Sequence, residues 1–345
     1  RAPHSDSAPD NDFFRDDYVG QTSEPQCFVF ATDDSAAAPC GLSEALAALD
    51  DPRRRVWVNI LAPDQKLLGK LVARLGFHEL AVEDVFSPRS RAKVEEYAGH
   101  LFCVVPALNL NTPHELFDIV NLNAFLGRNY LITTQRAPLP AVARARERME
   151  RGDPPLRRGP DFVLYQLLDT IVDEYLGLSD QLNNEIDALE DRIFGRQDAN
   201  VPEVIFDLKH QAAWLRRRIS PQREILNFMT NRPHELISRD TQVYLRDVYD
   251  HIYRISDNVD TFRDLLQGAL DAYLTLVANR TNAVMKVLSV VATIVLPLNV
   301  LTCLFGTNFA TLPGGDHPYG FWIFCGVLAV TAAAATVLFR LRKWL

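Results

Sequence analysis

Two long apolar runs near the end of the chain give its clearest structural signal. Residues 287–305 and residues 321–339 contain no charged side chain. At about 1.5 Å per residue, a helix over either run measures about 28 Å, close to the hydrocarbon thickness of a bilayer. We therefore predict two transmembrane helices joined by an outer loop, residues 306–320. A buried helical hairpin in a soluble protein is the alternative.

Charge next to these runs predicts their orientation. Lys and Arg flank both outer ends of the hairpin, whereas residues 306–320 contain neither. The flanking residues are Arg280, Lys286, Arg340, Arg342 and Lys343. Basic residues beside membrane spans favour the cytoplasmic side. Both termini are expected in the cytoplasm, and residues 286–345 are expected to form a transmembrane pore domain.

The sequence pattern in the first part of the chain is typical of an α/β domain. Short β-branched and aromatic runs alternate with helical patterns such as residues 67–75. The predicted strands cover residues 27–31, 56–60, 101–107, 119–125 and 130–134. Pro and Gly in residues 151–160 indicate a linker. We therefore expect a flexible tail over residues 1–25 and a cytosolic α/β domain over residues 26–155.

Residues 156–285 are predicted to form a helical stalk. Helices are expected over residues 161–194, over residues 201–230 and from about Ser238. In the third helix, apolar residues recur at alternating steps of three and four, as in a coiled coil. This apolar seam contains Leu245, Val248, Ile252, Ile255, Val259, Phe262, Leu266, Ala269, Tyr273 and Leu276. The pattern runs into the first membrane span and predicts one helix over residues 238–305, about 100 Å long.

A stripe of small, polar and acidic residues lies opposite the seam. One row is Asp250, Asp257, Asp264, Asp271, Ala278, Met285, Ala292, Asn299 and Gly306, and its companion is Arg254, Thr261, Gly268, Thr275, Asn282, Ser289, Leu296 and Cys303. Polar groups within a bilayer normally face a bundle interior or a water path. Two spans cannot enclose a pore, so we expect several copies around an axis. Alternatively, the acidic part is a solvated outer face and the apolar members face lipid.

Composition excludes several classes of function. The chain has 345 residues and a net charge of −8, which disfavours a nucleic-acid partner and favours cations. Five cysteines without a C-x-x-C pair indicate neither a disulfide framework nor a zinc knuckle. The polar N-terminal residues lack the apolar core of a signal peptide. Phosphate-loop, nucleophile-elbow and zinc-protease motifs are missing, so we expect no enzyme.

Residues 279–309, NRTNAVMKVLSVVATIVLPLNVLTCLFGTNF, and the terminal FRLRKWL closely resemble the CorA-type divalent cation transporters. Residues 79–97 and 244–274 also resemble segments of that family. The resemblance implies an α+β membrane protein with a cytosolic α/β domain, a long helical coiled-coil stalk and a two-helix transmembrane hairpin. It further implies a homopentameric funnel in a bacterial inner membrane, whose first span lines a channel-like pore for divalent metal cations. No other cofactor is expected.

The resemblance also assigns residues. Gly306-Thr307-Asn308 stands at the outer pore mouth, where the family usually has Gly-Met-Asn. Asp271 resembles the carboxylate at the inner mouth. Asp84 and Asp247 resemble carboxylates that bridge subunits through cytosolic Mg²⁺ and hold the pore shut. The other pore candidates are Asn282, Met285, Leu288, Ala292, Leu296 and Asn299; Asp250 and His251 are further regulatory candidates, and Asp316 and His317 belong to the outer mouth.

The sequence alone leaves several functions possible. Mg²⁺, with Co²⁺ or Ni²⁺, is favoured because oxygen ligands dominate the pore candidates. A Zn²⁺ transporter of the same superfamily, with or without proton coupling, is the alternative, because Thr307 departs from the signature and His317 offers a nitrogen ligand. From another class, a two-span receptor or scaffold would also assemble through a coiled coil. Asp84 could simply cap a helix or form an ion pair on the surface.

Overall fold

The computed structural model describes residues 24–31, 37–87, 90–109, 118–153, 158–195, 200–232, 234–306 and 318–342. The chain divides into two compact units between Leu266 and Gln267. One helix, Arg239–Phe305, contributes to both units. The four-part division into tail, α/β domain, stalk and pore domain stays a prediction.

A seven-stranded sheet organises the first unit. Its strands are β1 Gln26–Ala31, β2 Ala38–Cys40, β3 Arg54–Leu61, β4 Lys93–Tyr97, β5 His100–Leu108, β6 Ile119–Gly127 and β7 Tyr130–Gln135. They lie in the order β2-β1-β3-β7-β6-β5-β4. Only the pairing of β3 with β7 is parallel among these strands. The described sheet is therefore mixed, with β2 and β4 at its edges.

Helices cover both faces of this sheet. The short helices are α1 Leu42–Ala48, α2 Gln65–Leu75, α3 Glu79–Phe86 and α4 Pro140–Glu150. The first three pack on one face, where Val58, Leu68 and Phe125 share a buried apolar core. On the other face, Tyr175 and Gln222 both donate hydrogen bonds to the carbonyl of Pro106 in β5. Their helices are α5 Pro160–Phe194 and α6 Val201–Asn231.

The long helix α7, Arg239–Phe305, confirms the predicted continuous helix and much of the apolar seam. From Leu245 to Ala269 every seam residue is buried. This burial occurs within one chain, since polar contacts beside the seam reach α5 and α6: Asn258 donates to Ser179, and Arg216 pairs with Asp260 at 3.2 Å. The seam then fades, because Tyr273 is only half-buried and Leu276 is exposed.

The second unit contains the end of α7 and helix α8, Gly320–Leu341. Both helices are long and apolar enough to cross a membrane. The rings of Phe305 and Phe324 lie 4.8 Å apart near one end of the pair, and Val290 and Phe339 are buried nearer the other end. The two helices therefore pack side by side as an antiparallel hairpin, and they cover both predicted spans.

Candidate cation path and regulatory carboxylates

The polar stripe of α7 is exposed through the whole apolar part of the helix. Its members Asn282, Met285, Ala292, Leu296, Asn299 and Gly306, and the neighbouring pore candidate Leu288, are all exposed in the single chain. Exposed leucine and methionine side chains suit lipid as well as a neighbouring helix, but exposed amides are costly against lipid. The exposed amides of the stripe therefore need hydrogen-bond partners from a neighbouring copy of the chain or from water.

The stripe also points away from α8. From Lys286 to the end of α7, the buried and half-buried residues are Lys286, Val290, Ile294, Leu298 and Leu301. At 3.6 residues per turn these positions share one face of α7. Met285, Ala292 and Asn299 lie on the opposite face. The second span thus covers the apolar side of α7 and leaves the polar side open.

Asp271 lies on the same helix, before the apolar span. Its side chain is exposed and accepts a hydrogen bond from Gln267, one turn earlier, at 3.3 Å. Thr307, Asn308, Asp316 and His317 lie outside the described residues. Of the expected outer mouth, only Gly306 is described, at the end of α7, where its N–H bonds to the Thr302 carbonyl at 2.9 Å.

Asp84 lies in the last turn of α3, which is fixed at both ends. His78 caps the first turn by accepting the N–H of Leu80 through Nδ1, and Arg136 donates to the carbonyl of Phe86 at the last turn. Ser90 Oγ donates to Asp84 Oδ1 at 2.8 Å. The contacts at both ends fix the backbone of α3, and the Ser90 hydroxyl fixes the side chain. The Asp84 carboxylate therefore has a defined position.

A lysine pairs with the same carboxylate. Lys93 Nζ lies 2.6 Å from Asp84 Oδ2 and 2.9 Å from Glu95 Oε1. Burial lowers the pKa of Lys93, but hydrogen bonds and charge from Asp84 and Glu95 outweigh it, so the pKa is raised. Tyr97 donates its hydroxyl proton to Glu95 at 2.7 Å. Asp84 is thus part of a polar network along the edge strand β4.

Asp247 and His251 lie one turn apart on α7 and face two carboxylates of α5. His251 Nδ1 is 3.8 Å from Asp173 Oδ1. Burial raises the pKa of Asp169 to about 6; Asp173 and Asp247 raise it further, against the opposing effect of His251. Asp250, the other candidate, is exposed. Sequence reasoning missed Asp169 and Asp173 because only the packing of α5 on α7 brings them to Asp247.

No group of three His, Cys, Asp or Glu side chains in the described part of one chain is arranged to hold a metal ion. Asp84 and Asp247 belong to separate polar clusters, one around Lys93 and the other around Asp169. Carboxylate oxygens remain the ligand type that Mg²⁺ prefers, and Mg²⁺ commonly keeps several waters with only one or two carboxylates. The donor chemistry therefore fits a hydrated ion better than a fully caged one.

Comparison with known proteins decides the family. A family model described as "CorA-like Mg2+ transporter protein" matches residues 53–342. The chain belongs to the CorA-like Mg²⁺ transporter family. Members of this family are transporters, so the chain is a divalent metal cation transporter and an integral membrane protein, and it is not an enzyme.

Individual CorA-family relatives agree with that assignment. The "Cobalt/magnesium transport protein CorA" of Thermotoga maritima is 32% identical over 304 residues, covering 88% of this chain and 87% of the relative. The "Zinc transport protein ZntB" of Pectobacterium carotovorum is 24% identical over 258 residues, covering 74% and 77%. The solved CorA magnesium transporter of Methanocaldococcus jannaschii has a TM-score of 0.79 at 21% identity, covering 94% and 100%, and shows the shared fold.

Proposed function

We propose that the protein is a homopentameric, channel-like transporter of Mg²⁺ whose pore is lined by the polar stripe of α7. The observation that carries this proposal is the position of the stripe, which is exposed and lies opposite the α8-facing side of the same helix. A polar face of α7 that α8 does not cover suits a position at the central axis of an oligomer. The second span, which carries no charged or amide side chain, then lies at the periphery against lipid.

Oxygen chemistry along the stripe suits a hydrated Mg²⁺ ion. Asn282 and Asn299 supply amide groups, and Gly306-Thr307-Asn308 supplies a further ring at the outer mouth. An amide oxygen accepts hydrogen bonds from the water shell, so the ion need not be fully dehydrated. Met285, Leu288 and Leu296 form an apolar constriction that gates by dewetting. Asp271 attracts cations at the inner mouth.

Regulation is assigned to cytosolic divalent ions at Asp84 and Asp247, with Asp250 and His251 as neighbours. Because one described chain offers no group of three ligands, the ion draws on water or on a neighbouring copy. An ion that binds the closed state more tightly than the open state shifts the population towards closure. Rising internal Mg²⁺ then shuts the pore.

The membrane position follows from the charges around the spans. Lys and Arg at both outer ends of the hairpin support an orientation with both termini in the cytoplasm. The bacterial inner membrane is the membrane that the resemblance to the family implies. The copy number is checked by exhaustive crosslinking of the purified protein in detergent. Products should end at five copies, and a series that ends at another number contradicts the pentamer.

Zn²⁺ transport is the second candidate for a specific reason. A relative named as a zinc transport protein covers three quarters of the chain, and His317 with Asp316 introduces a nitrogen ligand at the outer mouth. Mg²⁺ is favoured because the T. maritima relative, named for cobalt and magnesium, is more similar in sequence.

Ion flux into proteoliposomes tests the proposed function. Mg²⁺ flux should exceed Zn²⁺ flux, persist without a proton gradient, and be lost in Asn308→Ala because an oxygen ring is removed. Thr307→Met should keep it. Zinc flux that survives excess Mg²⁺ and falls in His317→Ala contradicts the choice of ion. Flux of neither ion contradicts the proposed Mg²⁺ channel and the Zn²⁺ alternative alike.

A further inference from the structure

The network around Asp84 contains a cation of its own. The two oxygens of Asp84 are both engaged within one chain, Oδ1 by the hydroxyl of Ser90 and Oδ2 by the ammonium of Lys93. The pair is only partly exposed, at 22% for Asp84 and 29% for Lys93. Partial burial makes such a pair stronger than an ordinary surface ion pair. The negative charge of the Asp84 carboxylate is therefore already partly compensated before any metal ion arrives.

We propose that Lys93 is a tethered cation that competes with the regulatory divalent ion for Asp84, and thereby sets the ion concentration at which the site fills. This inference rests on the proposed regulatory role of Asp84. A Mg²⁺ ion lies about 2.0–2.1 Å from its ligand oxygens. An ammonium 2.6 Å from the same carboxylate oxygen would then be in strong repulsion with the ion. Lys93 must leave Asp84 when the ion binds directly.

The strand supplies a second place for the displaced ammonium. Glu95 accepts Lys93 at 2.9 Å, and the hydroxyl of Tyr97 holds the other oxygen of Glu95 at 2.7 Å. Lys93 can thus leave Asp84 and keep a carboxylate partner. Displacement then breaks one ion pair, but it does not leave the Lys93 ammonium without a partner. Such an exchange raises the ion concentration needed for closure without preventing closure.

Protection of the full-length protein in detergent against chymotrypsin, titrated with MgCl₂ alone, measures ion binding without a transport assay. Chymotrypsin is chosen because changes at Lys93 leave its aromatic cleavage sites intact. Lys93→Met keeps an apolar stem and removes the charge. We expect the Mg²⁺ concentration for half-maximal protection to fall by about threefold to tenfold, the range expected for losing one partly buried ion pair.

Two controls separate competition from a general change in charge. Lys93→Arg keeps a cation and should stay close to the wild-type midpoint. Arg91→Met removes a positive charge from an exposed position two residues away and should have little effect. The unfolding temperature without Mg²⁺ shows whether each variant is folded. A Lys93→Met midpoint that is unchanged or higher in a folded protein overturns the proposal and makes Lys93 a structural residue.

The Asp84→Asn variant distinguishes failure of this inference from failure of the regulatory assignment. If Asp84 binds the ion, Asp84→Asn weakens protection, and adding Lys93→Met to it gives no gain. A gain from Lys93→Met that persists in the Asp84→Asn background overturns the competition, because the effect does not pass through Asp84. Protection that is unchanged in Asp84→Asn alone removes the regulatory role of Asp84 itself, and the proposal with it.

Discussion

Glu174 shows how burial can dominate the charge state of a side chain. Neither of its oxygens is solvent-accessible or has a hydrogen-bond partner among the described residues. Burial raises the pKa of Glu174 to about 7; the Arg144 guanidinium opposes this, and Asp173 adds to it. The ordinary pKa of this carboxyl is 4.5. The folded protein therefore holds a proton that the unfolded chain releases between these two values.

This pKa shift predicts a pH-dependent stability. Below pH 4.5 both states are protonated, and the raised pKa costs nothing. As the pH rises from 4.5 to about 7, the free energy of unfolding falls, and the loss is complete above pH 7. Glu174→Gln removes the titration and should stabilise the protein by about 2 kcal/mol at pH 8, less than the full pKa shift because the residue as a whole is only half-buried.

Chemical unfolding of the full-length protein in detergent at pH 4.5 and pH 8 checks this prediction. The variant and the wild type should differ at pH 8 and converge at pH 4.5. An equal difference at both pH values contradicts it.

Single residues also mark the limit of sequence reasoning. Asp84 and Asp247 were found through resemblance to a family. The lysine on Asp84 and the Asp169 carboxylate near Asp247 had no signal in the sequence. Lys93 reaches Asp84 only because α3 and the edge strand β4 fold together, and Asp169 reaches Asp247 only because α5 packs on α7. Side-chain contacts that depend on tertiary packing produce no periodic pattern in the sequence, so they could not be predicted from it.

At the scale of elements, α7 begins at a cap that is fixed to another helix. Ser238 precedes the helix, and its hydroxyl accepts the N–H of Thr241 at 3.2 Å. Asp161 of α5 is buried and accepts both the N–H and the hydroxyl of Ser238, at 2.9 and 2.8 Å. One carboxylate thus links the starts of two long helices.

Removal of this link should destabilise the packing of α5 and α7. Asp161→Ala is expected to lower the free energy of unfolding by about 1–2 kcal/mol, because two hydrogen bonds to a buried carboxylate are lost. Ser238→Ala should cost a similar amount, and the double variant should cost less than the sum of the two. Thermal and chemical unfolding measure all three variants. Strict additivity would show that the two residues act independently.

Periodicity predicted the long elements well. Both membrane spans, the 67-residue helix α7 and five strands match runs read from the sequence. The strands β2 and β4 were missed because β2 has three residues and β4 carries charged side chains at a sheet edge. Beyond Ala269 the repeat continues, but within one chain Tyr273 is only half-buried and Leu276 is exposed. An apolar repeat predicts which face of a helix is apolar, but it does not predict which element packs against that face.

The proposed pore depends on which face of α7 meets water. Within the apolar span, α8 covers the side containing Val290, Ile294 and Leu298. The opposite side carries Asn299 and is exposed in one chain. Family membership establishes divalent cation transport, whereas the path through the assembly is the proposal that rests on this exposed side.

Thiol block of ion flux tests that path most directly. A single cysteine at Asn299, in a protein with the five native cysteines replaced, is treated in proteoliposomes with a positively charged, membrane-impermeant methanethiosulfonate. Flux should fall by at least about tenfold, because a charged adduct obstructs a narrow water path. The matched position is Val330, which is 69% exposed on α8. Val330→Cys should be insensitive, and block at Val330 with no effect at Asn299 would contradict the proposed pore.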